Sequence, residues 1–168
     1  MEPDAIREAE LGLPEVLTTA EEIENRRFHR YVRLAEQSED SDLRCLCHRL
    51  TTWSRRRADA LAHRRVCAGR SAQAPPRPPR LAALAFFAAN DTAPDRARVT
   101  MTKARLLRDE IDRSRCAVVF YQGLKEFTRD VTTHRVIDEI IGDECDCLGE
   151  MISVQADTAW SAGNTKGQ

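Results

Sequence analysis

Along two stretches of the chain, apolar residues return every three or four positions, the spacing of one helical face. In "AEEIENRRFHRYVRLAEQ" the stripe is Ile23, Phe28, Tyr31 and Leu34, preceded by Thr19 and Glu22 in the spacing of a capping box. "SEDSD" breaks this helix and offers new caps, and Leu43, Leu46, Leu50, Trp53 and Leu61 then mark a second helix. Residues 67–80, "CAGRSAQAPPRPPR", cannot continue it, because clustered prolines fix φ and remove amide donors. "LAALAFFAAN" reads as a short apolar helix or a packed crossover, and "DTAPDR" as another break. A long helix is predicted from about Val99 to Thr128, with Leu106, Leu107, Ile111, Val118, Tyr121 and Leu124 inward. Asp130 is placed to cap a last helix with Val136, Ile140 and Met151 on one side.

The pattern therefore predicts an all-α four-helix bundle over 18–152. A first hairpin covers 18–66, a crossover linker 67–98 and a second hairpin 99–152. An N-terminal arm (1–17), partly helical, and a flexible tail (153–168) flank it. Abundant Ala, Leu, Arg and Glu with 5% aromatics agree with helix over sheet. A net charge of −1, with arginines matched by acids, argues against nucleic acid as a partner. The absence of an eighteen-residue apolar run argues against a membrane span. "MEPDAIREAELG" has neither a basic start nor an apolar run, so a cytoplasmic protein with six reduced cysteines is expected.

A shift of ninety residues superposes Tyr31 on Tyr121, Leu34 on Leu124, Glu36 on Glu126 and Asp40 on Asp130. Leu46, Leu50 and Leu61 then fall on Val136, Ile140 and Met151, in one register through two helices and a turn. On this repeat, and most clearly in "RSRCAVVFYQGLKEFTRDVTTHRVIDEIIGDECDCLGEM" (113–151), the chain resembles the rubrerythrin-like branch of the ferritin-like superfamily. The resemblance implies two helical hairpins joined by a long crossover, and a homodimer associating through exposed apolar helix faces.

Active members of that family hold two metal ions through a Glu on one helix of each hairpin and a Glu-x-x-His on its partner. Carried over by position, the first Glu is Glu24 and its repeat mate is Ser114. The first Glu-x-x-His falls on Ser54 and Arg57, the second on Glu144 and Cys147. A third carboxylate returns only if Glu110 or Asp112 takes the place of Ser114, which breaks the tyrosine register. Arg57 has no lone pair and carries a permanent charge, so it is expected to replace the metal as counter-ion to Glu24 and Glu144. Tyr31 and Tyr121 flank this cluster, as bundle filling or as donors to its carboxylates.

The expected role is a metal-free, non-catalytic binding or structural protein without a cofactor, with a protein or small molecule as partner. The alternative is a metal- or thiol-dependent oxidoreductase, with iron or zinc held by Glu24, Glu144 and Cys147. Cys45 and Cys47, like Cys145 and Cys147, diverge around a helix and make a poor four-thiolate site. Cys116 and Cys147 form a redox pair only if both face the core, and His29, His48, His63 and His134 default to the surface. The proline stretch reads first as a stiff linker and second as a ligand for an aromatic groove.

Overall fold

A computed structural model describes residues 11–68 and 101–164, and for 158–164 the backbone alone. Four α-helices carry these residues: α1 (Leu13–Gln37), α2 (Ser41–Ala68), α3 (Lys103–Leu124) and α4 (Val131–Asn164), with a 3₁₀ turn at Lys125–Phe127. No strand occurs among the described residues. Both "PPRPP" and "LAALAFFAAN" lie outside them.

The helix starts follow local chemistry, and one departs from expectation. α1 begins at Leu13 rather than near Thr19, because Gly12 is its N-cap, Pro14 occupies the first turn, and the Glu15 carboxylate accepts the Gly12 amide at 2.9 Å. Thr19 is buried inside the helix instead. α3 starts behind Thr102, whose hydroxyl accepts the Arg105 amide at 3.2 Å. Asp40 and Asp130, the repeat mates, perform the same task at the two hairpin turns. Asp40 Oδ1 accepts the amides of Asp42 and Leu43; Asp130 accepts those of Thr132 and Thr133. At its far end α4 runs to Asn164, so the tail expected from 153 is helical through that residue. "ISVQADTAWSAGN" contains no proline to stop it.

α1 packs along α2 and α3 along α4, giving two hairpins. Their relative direction follows from a few contacts. The Leu11 amide donates to the Phe127 carbonyl at 2.8 Å, while Tyr31 meets Glu110, so α1 and α3 are antiparallel. Arg57 lies by Glu144 and Arg64 by Glu139, so α2 and α4 are antiparallel too. The end of α2 and the start of α3 therefore sit at opposite ends of the bundle.

Two apolar clusters fill the interior, and the ninety-residue shift maps six buried residues of one onto six of the other. Val16, Leu17, Leu61, Tyr121, Ile137 and Ile140 belong to the first. Their mates Leu106, Leu107, Met151, Tyr31, Cys47 and Leu50 belong to the second. Each cluster takes residues from all four helices, so neither hairpin buries its own stripe alone. The inward positions of the stripes shift by one residue twice: Ala117 and Ile137 are fully buried, whereas Val118 and Val136 are only half-buried.

Candidate functional site: a buried cluster of glutamates and arginines

Between the two apolar clusters the bundle centre is polar. Glu24 (α1), Ser54 (α2), Ser114 (α3) and Glu144 (α4), the four positions equated with carboxylate ligands, are all buried. Cys147 is buried one turn beyond Glu144, and Tyr31 and Tyr121 are buried on either side. Arg57 is nearly covered, with 11% of its side chain exposed.

The two glutamates share their cations. Arg57 Nη1 lies 3.1 Å from Glu24 Oε1 and 3.0 Å from Glu144 Oε1. Arg27, one turn after Glu24 on α1, lies at 3.0 and 2.7 Å from the same two oxygens and donates hydrogen bonds to both. The cluster thus holds two negative and two positive charges, which is the condition for keeping ions in a dry core. Arg57 is the looser of the two cations: its Nη1 forms no aligned hydrogen bond, and its guanidinium stacks 4.8 Å from the centre of the Trp53 ring.

Burial pushes the Glu24 carboxyl above its ordinary value, against the opposing pull of Arg27 and Arg57 and with help from the neighbouring Glu144. Burial acts on Glu144 in the same sense, but Arg27 and Arg57 outweigh it and hold that carboxyl low. The two titrate as a unit, with Glu24 the carboxyl held high and Glu144 the one held low. Ser54 stands beside Glu24, but its hydroxyl is too poorly aligned for a true hydrogen bond and supports the charge only slightly. Glu24 Oε2, Glu144 Oε2 and Arg27 Nη2 are likewise buried without a hydrogen-bond partner.

A second ion cluster lies toward the other end of α1. Arg30 pairs with Glu110 of α3, and the Tyr31 hydroxyl donates to Glu110 Oε2 at 2.5 Å. Arg113 stands 3.6 Å from Glu110 Oε1. Burial, then the charge of Glu110, drives the Tyr31 phenol far above its ordinary range, so it is a neutral donor. Glu110 keeps its own helical position. It does not slide into the place of Ser114, which is itself buried.

Sequence reasoning passes over Arg27 and Arg30, and considers Glu110 only as a carboxylate in the place of Ser114. The available signal was position: Arg27 and Arg30 follow Ile23 by four and seven residues, so they stand on the stripe where apolar residues belong. A charged residue on a buried stripe needs a buried partner.

The donor set does not suit a metal ion. Among the described residues no three His, Cys, Asp or Glu side chains come together as ligands, so Glu24, Glu144 and Cys147 do not form the set the alternative requires. The facing oxygens of the two glutamates are engaged by guanidinium groups, which repel a cation. Burial, followed by the charge of Glu144, drives the Cys147 thiol far above its ordinary range, away from the thiolate that binds metals or attacks substrates. Cys116 is exposed and cannot pair with Cys147 in the core. Cys45 and Cys145 are exposed while Cys47 and Cys147 are buried, so the thiols of each Cys-x-Cys diverge. His29, His48 and His63 are exposed, and His134 Nε2 lies 2.8 Å from the Thr128 carbonyl.

Fold and site together define a helical-bundle protein with an ionic, charge-balanced centre. No family model, curated protein or solved structure matches this chain. No helix among the described residues is long and apolar enough to cross a membrane.

Proposed function

We propose that the chain is a ferritin-like protein of rubrerythrin-like ancestry in which arginine has replaced the metal ions, and that it works by binding or as a structural unit rather than by catalysis. The observation that carries this reading is the sharing of Glu24 Oε1 and Glu144 Oε1 by Arg27 and Arg57, every contact between 2.7 and 3.1 Å. Two guanidinium groups bring two positive charges, which balance the two remaining carboxylates; the four charges of two divalent ions would need the carboxylates that Ser54 and Ser114 no longer supply.

The helix directions support the same ancestry. With α1 antiparallel to α3, residues 69–100 must connect opposite ends of the bundle, as the long crossover of a ferritin-like fold does. A 22-residue helix is roughly 33 Å long, a distance that a connection of this length reaches easily. The exchange of the two apolar clusters under the ninety-residue shift supports duplication of one hairpin.

The test is elemental analysis of protein expressed with added iron and zinc. The expected result is far less than one metal per chain, with no visible absorbance band. Stoichiometric iron or zinc, lost on chelation together with thermal stability, would overturn the reading and favour the oxidoreductase.

A further inference from the structure

We propose that the cleft between α2 and α4 is where a second copy of this chain docks, with α2 of each copy against α4 of the other about a two-fold axis parallel to the helices.

The two helices are oppositely charged. α2 carries seven arginines against two aspartates; α4 carries seven acidic residues against one arginine. Inside one chain Arg57–Glu144 and Arg64–Glu139 join them, the first buried in the core. Arg49 and Arg56 on α2, and Asp143, Asp146 and Glu150 on α4, are exposed, with no ion pair among the described residues. Between the two rows lies a cleft of about 770 Å³ with Leu46, Leu50, Leu107 and Met151 on its floor. A smaller hollow of about 270 Å³ prolongs it past Trp53 and Arg56, which line both. Apolar floor and charged rim are the anatomy of a protein interface.

The charges select the occupant. A partner of one sign would satisfy one wall and be repelled by the other, whereas a copy of the chain brings both signs. They also select the symmetry. A two-fold axis across the helices would set α2 on α2 and α4 on α4, like against like. An axis along the helices sets basic wall on acidic wall twice, as a self-complementary interface requires.

That axis preserves height along the bundle. Since Arg57 lies level with Glu144 and Arg64 with Glu139, Arg56 comes level with Asp143 and Asp146, and Arg49 with Glu150. Across the interface Arg56 would face Asp143 of the partner subunit, and Arg49 would face Glu150 of the partner subunit. This surface is independent of the metal question.

The experiment is sedimentation equilibrium on the full chain across the micromolar range, with far-UV circular dichroism as a folding control. The wild-type protein should approach twice its 19.0 kDa mass. A variant with Arg49→Glu and Arg56→Glu has two acidic walls; one with Asp143→Arg and Glu150→Arg has two basic walls. Each should stay helical and be monomeric, and an equimolar mixture of the two should recover the doubled mass, because both interfaces of the mixed pair are then complementary. A monomeric wild type would overturn the proposal, including one whose cleft takes up a fluorescent fatty acid. So would variants that remain dimeric, or a mixture of folded variants that stays monomeric.

Discussion

Arg27→Ala should expose the cost of the buried ion cluster. Arg27 is buried and touches both Glu24 and Glu144, so its removal leaves two carboxylates facing Arg57 alone. Each lost contact is worth about 5 kcal/mol of gross attraction at ~3 Å with an effective dielectric of ~20. Relief of the Arg27–Arg57 repulsion and of the guanidinium's own desolvation offsets much of this. Removing one member of a buried pair costs roughly 3–5 kcal/mol in practice. Proton uptake sets a ceiling. Bringing a carboxyl of ordinary value 4.5 to its neutral form at pH 7 costs about 3.4 kcal/mol, and Glu24, already raised, needs less. We therefore expect a loss of about 3 kcal/mol at pH 7, measured by urea unfolding followed by circular dichroism.

The pH dependence carries the sign. In the variant the native state holds a proton on Glu24 that the unfolded chain does not, so its stability rises relative to wild type as pH falls. The relative gain from pH 7 to pH 5 should be about 2 kcal/mol, ending where unfolded carboxyls themselves protonate near 4.5. The control is Arg64→Ala, which breaks the exposed 2.6 Å pair with Glu139 and should cost under ~1 kcal/mol. If Arg27→Ala costs no more than this control, or if its penalty grows on acidification, the charges are not desolvated and the reasoning fails.

Arg57→Ala should cost less than Arg27→Ala, about 2 kcal/mol in the same urea assay, because Arg57 is partly exposed and lacks an aligned bond. Tyr31→Phe should cost about 1–2 kcal/mol by removing a buried donor from Glu110, whereas Glu110→Ala, which takes the hydrogen-bonded carboxylate from Arg30 and leaves it Asp109 at 4.0 Å, should cost about 2–3 kcal/mol. Asp130→Ala should lower the melting temperature by uncapping α4. Hydrogen bonds from Thr133 hold the Asp130 carboxyl below its ordinary value, so its contribution is present above that value and is lost as pH falls through the lowered one.

The apolar stripes made much of the bundle legible. Leu43, Leu46, Leu50 and Leu61 on α2, and Ile140 and Met151 on α4, are buried at the spacing the sequence prescribes. The repeat also equated Glu24 with Ser114 and Ser54 with Glu144; all four positions are buried, and Glu24, Ser54 and Glu144 meet at the centre. Arg27 and Arg30 escaped, as did the pairing of Glu110 with Arg30 and Tyr31, because charge on a helix reads as solvated face, and only tertiary pairing brings such residues inside. The start of α1 escaped for a different reason. Thr19-x-x-Glu22 has the right spacing, but Gly12, Pro14 and Glu15 stop the chain earlier and more firmly. Two capping signals within a few residues compete, and sequence alone does not rank them.

Because the ionic centre draws on both halves of the chain, its charges balance late during synthesis. The first hairpin leaves the ribosome with Arg27 and Arg57 facing only Glu24, a surplus cation in what will become core. The second brings Glu144, a surplus anion with no cation of its own at that site. Each half is therefore electrically mismatched until it finds the other, and wrong pairings of helices leave an ion stranded away from water. The nascent protein carries, in one glutamate, a proofreading mark for its own assembly.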